Sequence, residues 1–500
     1  MSKQDKKELR QQIACEWLEE NYLQFGNLRH DVVTDRLQIK AYKPTPNPSL
    51  KGREECDGLL AIGDRQELWR NLTDKDINTM VCQCVTEKGV NISTNEMWTA
   101  LKSDMVPAVH PLRAWLDGLR PYTADQPDWI DFVASQVRVR ESATDRCEAP
   151  VDRHFVAVDG RSAAPVVFHN ESTASNASEL QCSASETNYS EATHSSQSER
   201  SEADRLWRVC FKKWFVAMVA SWMKDEVVNH TVLVLVGRQG IFKTTWLDNL
   251  IPPELRAYSS KLPLSGQISK DDRLRLCENG MLNIDELDAM CGREMNIVKS
   301  LLTSTDVNER AAYGRLKERR VRLASFCAST NKREFLTDIT GNRRWLPFEV
   351  ESIQNPFHTI IPYERLYAQA KALVEEGIFS YWFDMEEMEV LEAHNEEFRA
   401  QENEEQLLPI LFDVPAEGRG EFMTTAEISD RLATYGGIKK PMSIRKLNAI
   451  LEHHAFKAVR PYVDGKQVRG WLVYKRKQDE IEIKQKELAK KSQRHEDILY

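Results

Sequence analysis

The apolar side chains of one segment follow the period of a helix. From Ala203 onward, large apolar residues recur at spacings of three and four, which is typical of a helix that packs one face on a core. These residues are Trp207, Phe211, Trp214, Met218 and Trp222. The segment therefore predicts a long amphipathic helix, and the aromatic stripe is interpreted as core.

Three later segments are continuous apolar runs. Residues 231–236, 280–284 and 323–330 contain mostly aliphatic and other apolar side chains. A strand that is buried on both faces of a parallel sheet has this pattern. Together with the long helix, these runs predict an α/β fold built on a parallel sheet.

Changes in composition divide the chain into five segments. Helix-like periods that start at Thr73 and Ser93 predict a mainly helical N-terminal domain, and a stretch dominated by Ser, Thr, Ala, Asn and Glu predicts a disordered linker. Alternating charges near the C-terminus predict a solvated helical tail. The segments are the N-terminal domain 1–155, the linker 160–204, the α/β domain 205–395, a C-terminal domain 396–475 and the tail 476–500.

The overall composition excludes several classes of protein. The chain carries 68 Lys plus Arg against 77 Asp plus Glu, a formal net charge of -9, so any nucleic-acid site must be a local patch. Its apolar runs are shorter than the ~20 residues that span a bilayer. The charged N-terminus lacks a signal-peptide core, so we expect a cytoplasmic protein. The spacing of the ten cysteines predicts thiols and no zinc site.

The segment that follows the first apolar run has the pattern of a phosphate-binding P-loop. A buried strand, a Gly-containing loop and a Lys-Thr pair that opens a helix follow one another here. We expect the loop amides to cradle the phosphates, Lys243 to neutralise them and Thr244 to hold Mg²⁺. The predicted nucleotide-binding residues are Gly237, Arg238, Gln239, Gly240, Ile241, Phe242, Lys243, Thr244 and Thr245.

One residue departs from the P-loop pattern. Phe242 stands where the pattern has glycine, immediately before the lysine. We hypothesise that Phe242 adopts ordinary helical dihedral angles while the glycines of the loop take the strained positions. The alternative is an NTPase fold that Phe242 has made inactive.

Polar residues at the ends of the later runs supply the other parts of an NTP site. Asp285 would hold Mg²⁺ and Glu286 would polarise the attacking water. Asn331, after the third run, could orient that water. Arg343 and Arg344 could contact phosphate, and in a ring one of them could act as an arginine finger on the neighbouring subunit.

These motifs, taken in order, resemble a known family. GRQGIFKTT, MLNIDEL, ASTN and TGNRRW, with WRVCFKKWFVAMVA upstream, are similar to the virulence-associated protein E family of P-loop NTPases. The resemblance implies an AAA+-like parallel sheet with the P-loop strand beside the 323–330 strand, and a homo-oligomeric ring. It also implies kinship with superfamily-three helicases and ATP-driven work on DNA in a mobile element. Many relatives place a primase domain ahead of the NTPase, and no motif here supplies one, so we expect a separate primase as partner.

A cluster of cations lies between the second and third apolar runs. Residues 310–322 contain six cations and one anion around a Tyr-Gly turn. In helicases of the resembled kind this interval carries a hairpin that faces the central pore, so we expect it to contact single-stranded or forked DNA. The alternative is a solvated charged face. The predicted DNA-binding residues are Arg310, Tyr313, Arg315, Lys317, Arg319, Arg320 and Arg322.

The C-terminal domain has the pattern of a winged helix. Helix starts at Thr424 and Ser443 are followed by two strand-like runs around a turn at 464–465. Cations in and around the second helix could meet a duplex backbone, although winged helices also bind other proteins. These cations are Lys439, Lys440, Arg445, Lys446, Lys457, Arg460, Lys466 and Arg469.

The sequence as a whole predicts a cytoplasmic, Mg²⁺-dependent ATPase that works on DNA as a helicase or helicase loader. The first alternative is a DNA-binding regulatory protein whose nucleotide acts as a switch without unwinding. The second is the inactive scaffold.

Overall fold

The computed structural model describes ten ranges of the chain. They are residues 3–41, 68–141, 201–262, 269–285, 287, 292–309, 318–337, 341–416, 420–463 and 466–496. The predicted linker 160–204 lies outside these ranges except for its last residues. Those residues differ from the prediction, because Ser201 caps a helix that already begins at Glu202.

Helices and strands alternate along the described residues. The α-helices are α1 Lys3–Leu18, α2 Asp74–Lys88, α3 Thr94–Leu101, α4 Pro111–Asp117, α5 Trp129–Ala134, α6 Glu202–Met223, α7 Lys243–Asp248, α8 Lys270–Glu278, α9 Gly292–Thr303, α10 Tyr363–Glu376, α11 Met385–Asn395, α12 Asn403–Leu411, α13 Thr425–Gly436, α14 Ile444–His453 and α15 Gln478–Glu496.

The strands are β1 Leu28–Asp31, β2 Arg36–Ala41, β3 Leu68–Asn71, β4 Ala108–Val109, β5 Val137–Val139, β6 Val232–Val236, β7 Ser259–Lys261, β8 Met281–Ile284, β9 Asp306–Glu309, β10 Glu318–Val321, β11 Ser325–Thr330, β12 Trp345–Ile353, β13 Phe412–Asp413, β14 Glu421–Met423, β15 Lys457–Val459, β16 Tyr462–Val463, β17 Lys466–Gln467 and β18 Gly470–Lys475. The chain divides into two compact units: the first comprises Met1–Asn331 and Leu346–Glu387, and the second comprises Lys332–Trp345 and Met388–Tyr500.

The N-terminal part of the first unit combines helices with a sheet. Thr73 and Ser93 both form capping boxes at the starts of α2 and α3, as the sequence predicts. The prediction of a mainly helical domain missed a four-stranded sheet with the order β3-β2-β1-β4. Apolar side chains of α1, α2 and α3 pack with residues of β1 and β2 in one core.

A six-stranded sheet forms the centre of the first unit. Its strand order is β5-β12-β6-β11-β8-β7. The pairs β6–β11, β11–β8 and β8–β7 are parallel, and β5 joins the edge antiparallel to β12. The mixed α/β fold with a parallel sheet is therefore confirmed. The expected domain end at residue 155 differs from the structure, because β5 belongs to this sheet.

Two tryptophans of α6 fix this helix to the sheet. Trp214 Nε1 donates to the carbonyl of Phe326 at 2.9 Å, and Trp222 Nε1 donates to the carbonyl of Gly280 at 3.1 Å. A Cβ at Gly280 would lie 2.8 Å from the Trp222 ring, so only glycine permits this approach. The predicted aromatic stripe is thus a core feature, and α6 covers the strands that end at the site.

The second unit has its own core. Thr424 and Ser443 are the N-cap residues of α13 and α14, as predicted, and α14 is followed by antiparallel pairing of β15 with β18. Trp471 of β18 is fully buried and donates through Nε1 to Thr425 Oγ1 at 3.0 Å. The predicted turn at 464–465 lies outside the described residues. The predicted C-terminal tail is helical, as α15.

Two absences apply to the described residues alone. None of their helices is long and apolar enough to span a membrane. The cysteines among them, Cys15, Cys82, Cys84, Cys210, Cys277 and Cys327, are free thiols, as the sequence predicts.

Candidate functional site

Three parallel strands of the central sheet end at the candidate site. The predicted P-loop starts at Gly237 after β6, Asp285 follows β8, and Asn331 follows β11. Because β11 pairs in parallel with both β6 and β8, the carboxyl ends of the three strands meet at one edge. In open α/β sheets this edge is where ligands bind. The fold thus brings Gly237 and Asn331 to one edge of the sheet, although they lie 94 residues apart in sequence (331 minus 237).

The P-loop backbone differs from the sequence-based hypothesis. Gly240 has φ +87°, and Phe242 has φ +68°, so Phe242 itself occupies a left-handed conformation. The hypothesis of ordinary helical dihedrals at Phe242 is therefore wrong. A left-handed conformation costs a residue with a Cβ about 1–2 kcal/mol, which glycine does not pay. Gly237 is required for a different reason: a Cβ there would lie 2.9 Å from the carbonyl oxygen of Val350.

Burial does little to offset the strain at Phe242. Its side chain is only half-buried. Its ring meets the ring of Phe357 edge-on, with centroids 6.1 Å apart, and Phe357 is itself 74% exposed. The strained residue is therefore held by the loop and by one exposed aromatic contact.

The ammonium group of Lys243 lies inside the loop. Lys243 is buried, and its Nζ donates to the carbonyls of Gly237 at 2.8 Å and Arg238 at 2.7 Å. It also donates to Asn331 Oδ1 at 3.1 Å. The ammonium is thus bound by neutral oxygens. Charged phosphate oxygens would be stronger partners for it. The structure unites two predicted site residues, Lys243 and Asn331, through this bond.

A second group of oxygens surrounds Asp285. Thr244 Oγ1 donates to Asp285 Oδ1 at 3.1 Å, so the two predicted metal ligands lie within hydrogen-bonding distance of each other. Ser329 Oγ donates to the same carboxylate oxygen at 3.1 Å and lies 3.0 Å from Thr244 Oγ1. Sequence analysis missed Ser329. The signal was its position in β11, two residues before Asn331.

Lys261 is a further site residue that sequence analysis missed. Its Nζ lies 2.6 Å from Asp285 Oδ2. Burial by itself raises the pKa of Asp285, but the Lys261 ammonium and the hydroxyl donors Thr244 and Ser329 together hold that pKa below its usual value. Asp285 is therefore a carboxylate at neutral pH. Strand β7, which ends at Lys261, has no long apolar run that would have predicted it.

The oxygen groups fit a Mg²⁺ ion that shares its coordination with phosphate. Within the described ranges, no group of three or more His, Cys, Asp and Glu side chains is placed to hold a metal. The carboxylate of Asp285 and the hydroxyl of Thr244 are hard oxygen donors, which Mg²⁺ prefers. Mg²⁺ commonly binds through one or two carboxylates together with water and substrate phosphates. The residues present therefore suit Mg²⁺ bound with a nucleotide better than a metal held by protein alone.

The part of the chain that contains these site residues is similar to a known family of domains. Residues 187–400 match the virulence-associated protein E-like domain. The sequence resemblance is thereby confirmed at the level of this domain. The match includes all three strands that end at the site.

Other comparisons add little to this match. No curated protein matches the chain. The apo structure of the NrS-1 C-terminal region is 9% identical, covers 90% of this chain and 97% of its own, and has a TM-score of 0.40. Its A form is 10% identical, covers 92% of this chain and 99% of its own, and also has a TM-score of 0.40.

The other residues of the predicted P-loop surround Lys243 in sequence. Arg238 and Gln239 are exposed, and Ile241 and Thr245 are half-buried. Glu286, the expected water-activating residue, lies outside the described residues. The structure thus describes the residues predicted to bind nucleotide but not the predicted base.

The two predicted phosphate-binding arginines of this domain belong to the second unit. Arg343 and Arg344 form a short 3₁₀ helix with Asn342, after Gly341 at φ +85°. Arg343 is exposed and Arg344 is half-buried. The residues that contact Lys243 and Asp285 belong to the first unit.

The predicted DNA-binding hairpin is present at its base. Strands β9 and β10 pair antiparallel, with Arg319 opposite Asn308. Arg310, Tyr313, Arg315 and Lys317, at the expected tip, lie outside the described residues. Arg319 is exposed and pairs with Asp306 at 2.9 Å, whereas Arg320 pairs with Asp35 at 3.3 Å.

The prediction that Arg322 contacts DNA is wrong. Its side chain is fully buried, and burial lowers its pKa to about 9. Its guanidinium donates to carbonyls on three segments: Leu301, Leu302 and Ser304 at the end of α9, Asn229 before β6, and Ala324 before β11. Arg322 is therefore a structural residue that joins these segments.

Proposed function

We propose that this protein is a Mg²⁺-dependent ATPase that works on DNA in the replication of a phage or other mobile element. The observation that carries the proposal is the meeting of Lys243, Thr244, Asp285 and Asn331 at the ends of three parallel strands. A phosphate-binding lysine, a metal-binding hydroxyl and carboxylate, and a polar amide are the groups that phosphoryl transfer uses. The match to the virulence-associated protein E-like domain supports the replication context.

Each of these residues has a role that its contacts allow. Lys243 would exchange the carbonyls of Gly237 and Arg238 for phosphate oxygens, a stronger charge-assisted bond. Thr244 and Asp285 would hold Mg²⁺, which supplies positive charge against the phosphates. Asn331, now bonded to Lys243, would be released to orient water beside the terminal phosphate. Glu286 remains the proposed general base.

A ring assembly is proposed on the basis of Arg343 and Arg344. These residues lie in the second unit, in the expected order after the site residues. In a ring, a guanidinium of one subunit can complete the neighbouring subunit's site and stabilise the charge of the transition state. This assembly would couple hydrolysis to movement of DNA, as a helicase or helicase loader requires.

The second unit offers a better placed set of cations for DNA than the hairpin base. Lys439, Lys440 and Arg445 are exposed at the turn before α14 and in its first turn. Across the part of the chain that the structure describes, none of the three has an ion-pair partner. By contrast, Lys446 pairs with Glu402, and Arg469 pairs with Glu452. The N-terminal part of the second helix of a helix-turn-helix is the part that contacts duplex DNA.

One observation favours the alternative of a nucleotide-switched DNA-binding regulator. The Lys243 ammonium is bound to the loop carbonyls of Gly237 and Arg238 and to Asn331 Oδ1, and Phe242 is strained beside it. A loop that must rearrange before it accepts phosphate suits a slow switch as well as a motor. Strand unwinding separates the two functions, because only the motor moves DNA.

ATP hydrolysis measured with and without single-stranded and forked DNA tests the proposal. We expect DNA-stimulated turnover in the wild type and, in Lys243→Ala, a loss of nucleotide binding, because no other described side chain occupies its position among the loop oxygens. Asp285→Asn should keep nucleotide binding without metal and lose turnover by at least about 10²-fold. Wild-type turnover in both variants would refute the proposed site, and absence of unwinding with intact hydrolysis would favour the regulator.

A further inference from the structure

Lys261 makes the shortest charged contact of the site. It is the last residue of β7, which pairs in parallel with β8, and Lys261 lies opposite Asn283 in the register. The ends of the two strands therefore place Lys261 beside Asp285. The backbone at this point is anchored, because Leu262 N donates to the carbonyl of Asn283 at 3.0 Å and Arg275 donates to the carbonyl of Lys261 at 3.0 Å.

Both oxygens of the Asp285 carboxylate accept hydrogen bonds from side chains of the chain itself. Oδ1 accepts from the hydroxyls of Thr244 and Ser329, and Oδ2 accepts from the Lys261 ammonium at 2.6 Å. The two proposed metal ligands are therefore bonded to each other. The negative charge that would attract a metal ion is compensated by a cation of the chain itself.

We propose that Lys261 is a resident counter-ion that blocks the metal-binding carboxylate until a metal–nucleotide complex displaces it. The inference rests on the proposed function, since it concerns regulation of the same site. A divalent cation and an ammonium that bind the same carboxylate repel each other strongly, because their like charges lie only a few ångström apart. The Lys261 side chain is 57% exposed, so the ammonium is able to swing away while the backbone stays in place.

This arrangement discriminates between free metal and metal bound to nucleotide. A free cation displaces the ammonium from Asp285 without bringing an anion that could accept it. A metal–nucleotide complex brings phosphate oxygens, which can accept both the released ammonium and Lys243. Lys261 therefore weakens binding of free divalent cations much more than binding of the complex.

Binding of Mn²⁺ to the nucleotide-free, full-length protein tests the proposal. The electron paramagnetic resonance signal of unbound Mn²⁺ gives the affinity directly and does not depend on activity. We expect Lys261→Met to bind Mn²⁺ about tenfold more tightly than the wild type, because one competing charge has been removed. Lys261→Arg should stay within about twofold of the wild type, since a guanidinium can replace the ammonium.

Two controls locate the effect. Asp285→Asn, alone or combined with Lys261→Met, should abolish the Mn²⁺ binding, which places the ion at this carboxylate. Lys88→Met removes an ammonium that also lies 2.6 Å from a carboxylate, that of Glu20, and it should leave Mn²⁺ affinity unchanged. An equal gain in the Lys88 variant, or no gain in Lys261→Met, overturns the proposal.

Binding of ATP in the presence of Mn²⁺ separates this inference from the proposed function. We expect the affinity for the Mn²⁺–ATP complex to differ by less than about threefold between the wild type and Lys261→Met, because phosphate compensates the displaced ammonium. A wild type that binds no ATP would refute the proposed function itself. If the wild type binds the complex, and if Lys261→Met gains equally in affinity for free and for complexed metal, the proposed function stands. Only the proposed discrimination by Lys261 is then refuted.

Discussion

At the scale of single residues, the site is organised by two residues whose identity departs from expectation. Phe242 adopts a left-handed conformation that the P-loop pattern reserves for glycine. Lys261 neutralises a carboxylate that the pattern assigns to a metal. The sequence already marks Phe242 as a departure from the pattern, whereas nothing in it distinguishes Lys261. The backbone angle of Phe242 and the neighbour of Lys261 are set by the fold.

The strain at Phe242 predicts an unusual order of stability for two variants. At most positions alanine is more stable than glycine, because glycine loses more backbone entropy on folding. At φ +68° the order should reverse, so that Phe242→Gly melts about 1–3 °C above Phe242→Ala. Both variants lack the ring, so the contact with Phe357 cancels in this comparison. Differential scanning calorimetry measures the difference.

The same variants distinguish a tolerated loop from a crippled one. If Phe242→Gly melts at or below Phe242→Ala, the left-handed conformation is not significant for stability. We expect the ATP affinity of Phe242→Gly to stay within about threefold of the wild type. The loop contacts of Lys243 are made by backbone carbonyls, which this substitution keeps. A gain of many-fold would favour the inactive-scaffold alternative.

At the scale of elements, Arg322 connects the hairpin to the strands of the site. Helix α9 ends at Thr303, and the carbonyls near its end accept from the guanidinium of Arg322. The last carbonyls of a helix lack partners within the helix, so a buried cation at this end is favourable. The same guanidinium reaches Asn229 before β6 and Ala324 before β11.

Removal of this connection should destabilise the protein. Arg322→Met leaves several buried carbonyls without donors, and each such loss costs about 1–3 kcal/mol, so we expect a total of at least about 3 kcal/mol. Arg319→Met is the matched control, because Arg319 is exposed and its pair with Asp306 is worth about 0–1 kcal/mol. Chemical denaturation compares the two. Equal stability of both variants would contradict the structural role of Arg322.

At the scale of the whole molecule, the acidic composition means that the proposed nucleic-acid contacts must lie on local surfaces. The net charge is -9, so the exposed cations Lys439, Lys440 and Arg445 form a local positive surface on a negatively charged chain. Each phosphate contact contributes a salt-dependent increment to DNA affinity. The second unit is therefore the place where the proposed DNA binding should be most sensitive to salt.

Charge reversal of Lys439, Lys440 and Arg445 to Glu should weaken duplex binding. The slope of log affinity against log salt should fall by about 0.9 for each lost phosphate contact. ATP hydrolysis without DNA should stay near the wild-type rate, because these residues lie in the second unit whereas Lys243, Thr244 and Asp285 lie in the first. Fluorescence anisotropy over a salt series measures the slope.

A control with the same charge change separates a surface from a net-charge effect. Lys475, Lys477 and Lys484, at the end of β18 and beyond it, can be reversed to Glu in the same way. We expect this variant to keep DNA affinity within about twofold. An equal loss of DNA affinity in both triple variants would show that net charge alone governs binding. Lys439, Lys440 and Arg445 would then have no specific role.

The sequence by itself determined the features that depend on local pattern. The capping boxes at Thr73, Ser93 and Thr424 mark helix starts because a hydroxyl and a carboxylate three residues apart satisfy the first free amides of a helix. The continuous apolar runs predict buried strands because both of their faces must be covered. Spacing of this kind therefore gave the parallel sheet and the positions of Lys243, Asp285 and Asn331 at its edge.

Only the tertiary structure decided what depends on distant partners. The strand β5 joins the sheet, Arg322 is buried rather than exposed, and Lys261 and Ser329 meet Asp285, although each lies far from its partner in sequence. The left-handed backbone at Phe242 likewise follows from the path of the loop between β6 and α7. Cations in a charged run look alike in sequence, because burial and pairing are set by chain segments that the run itself does not contain.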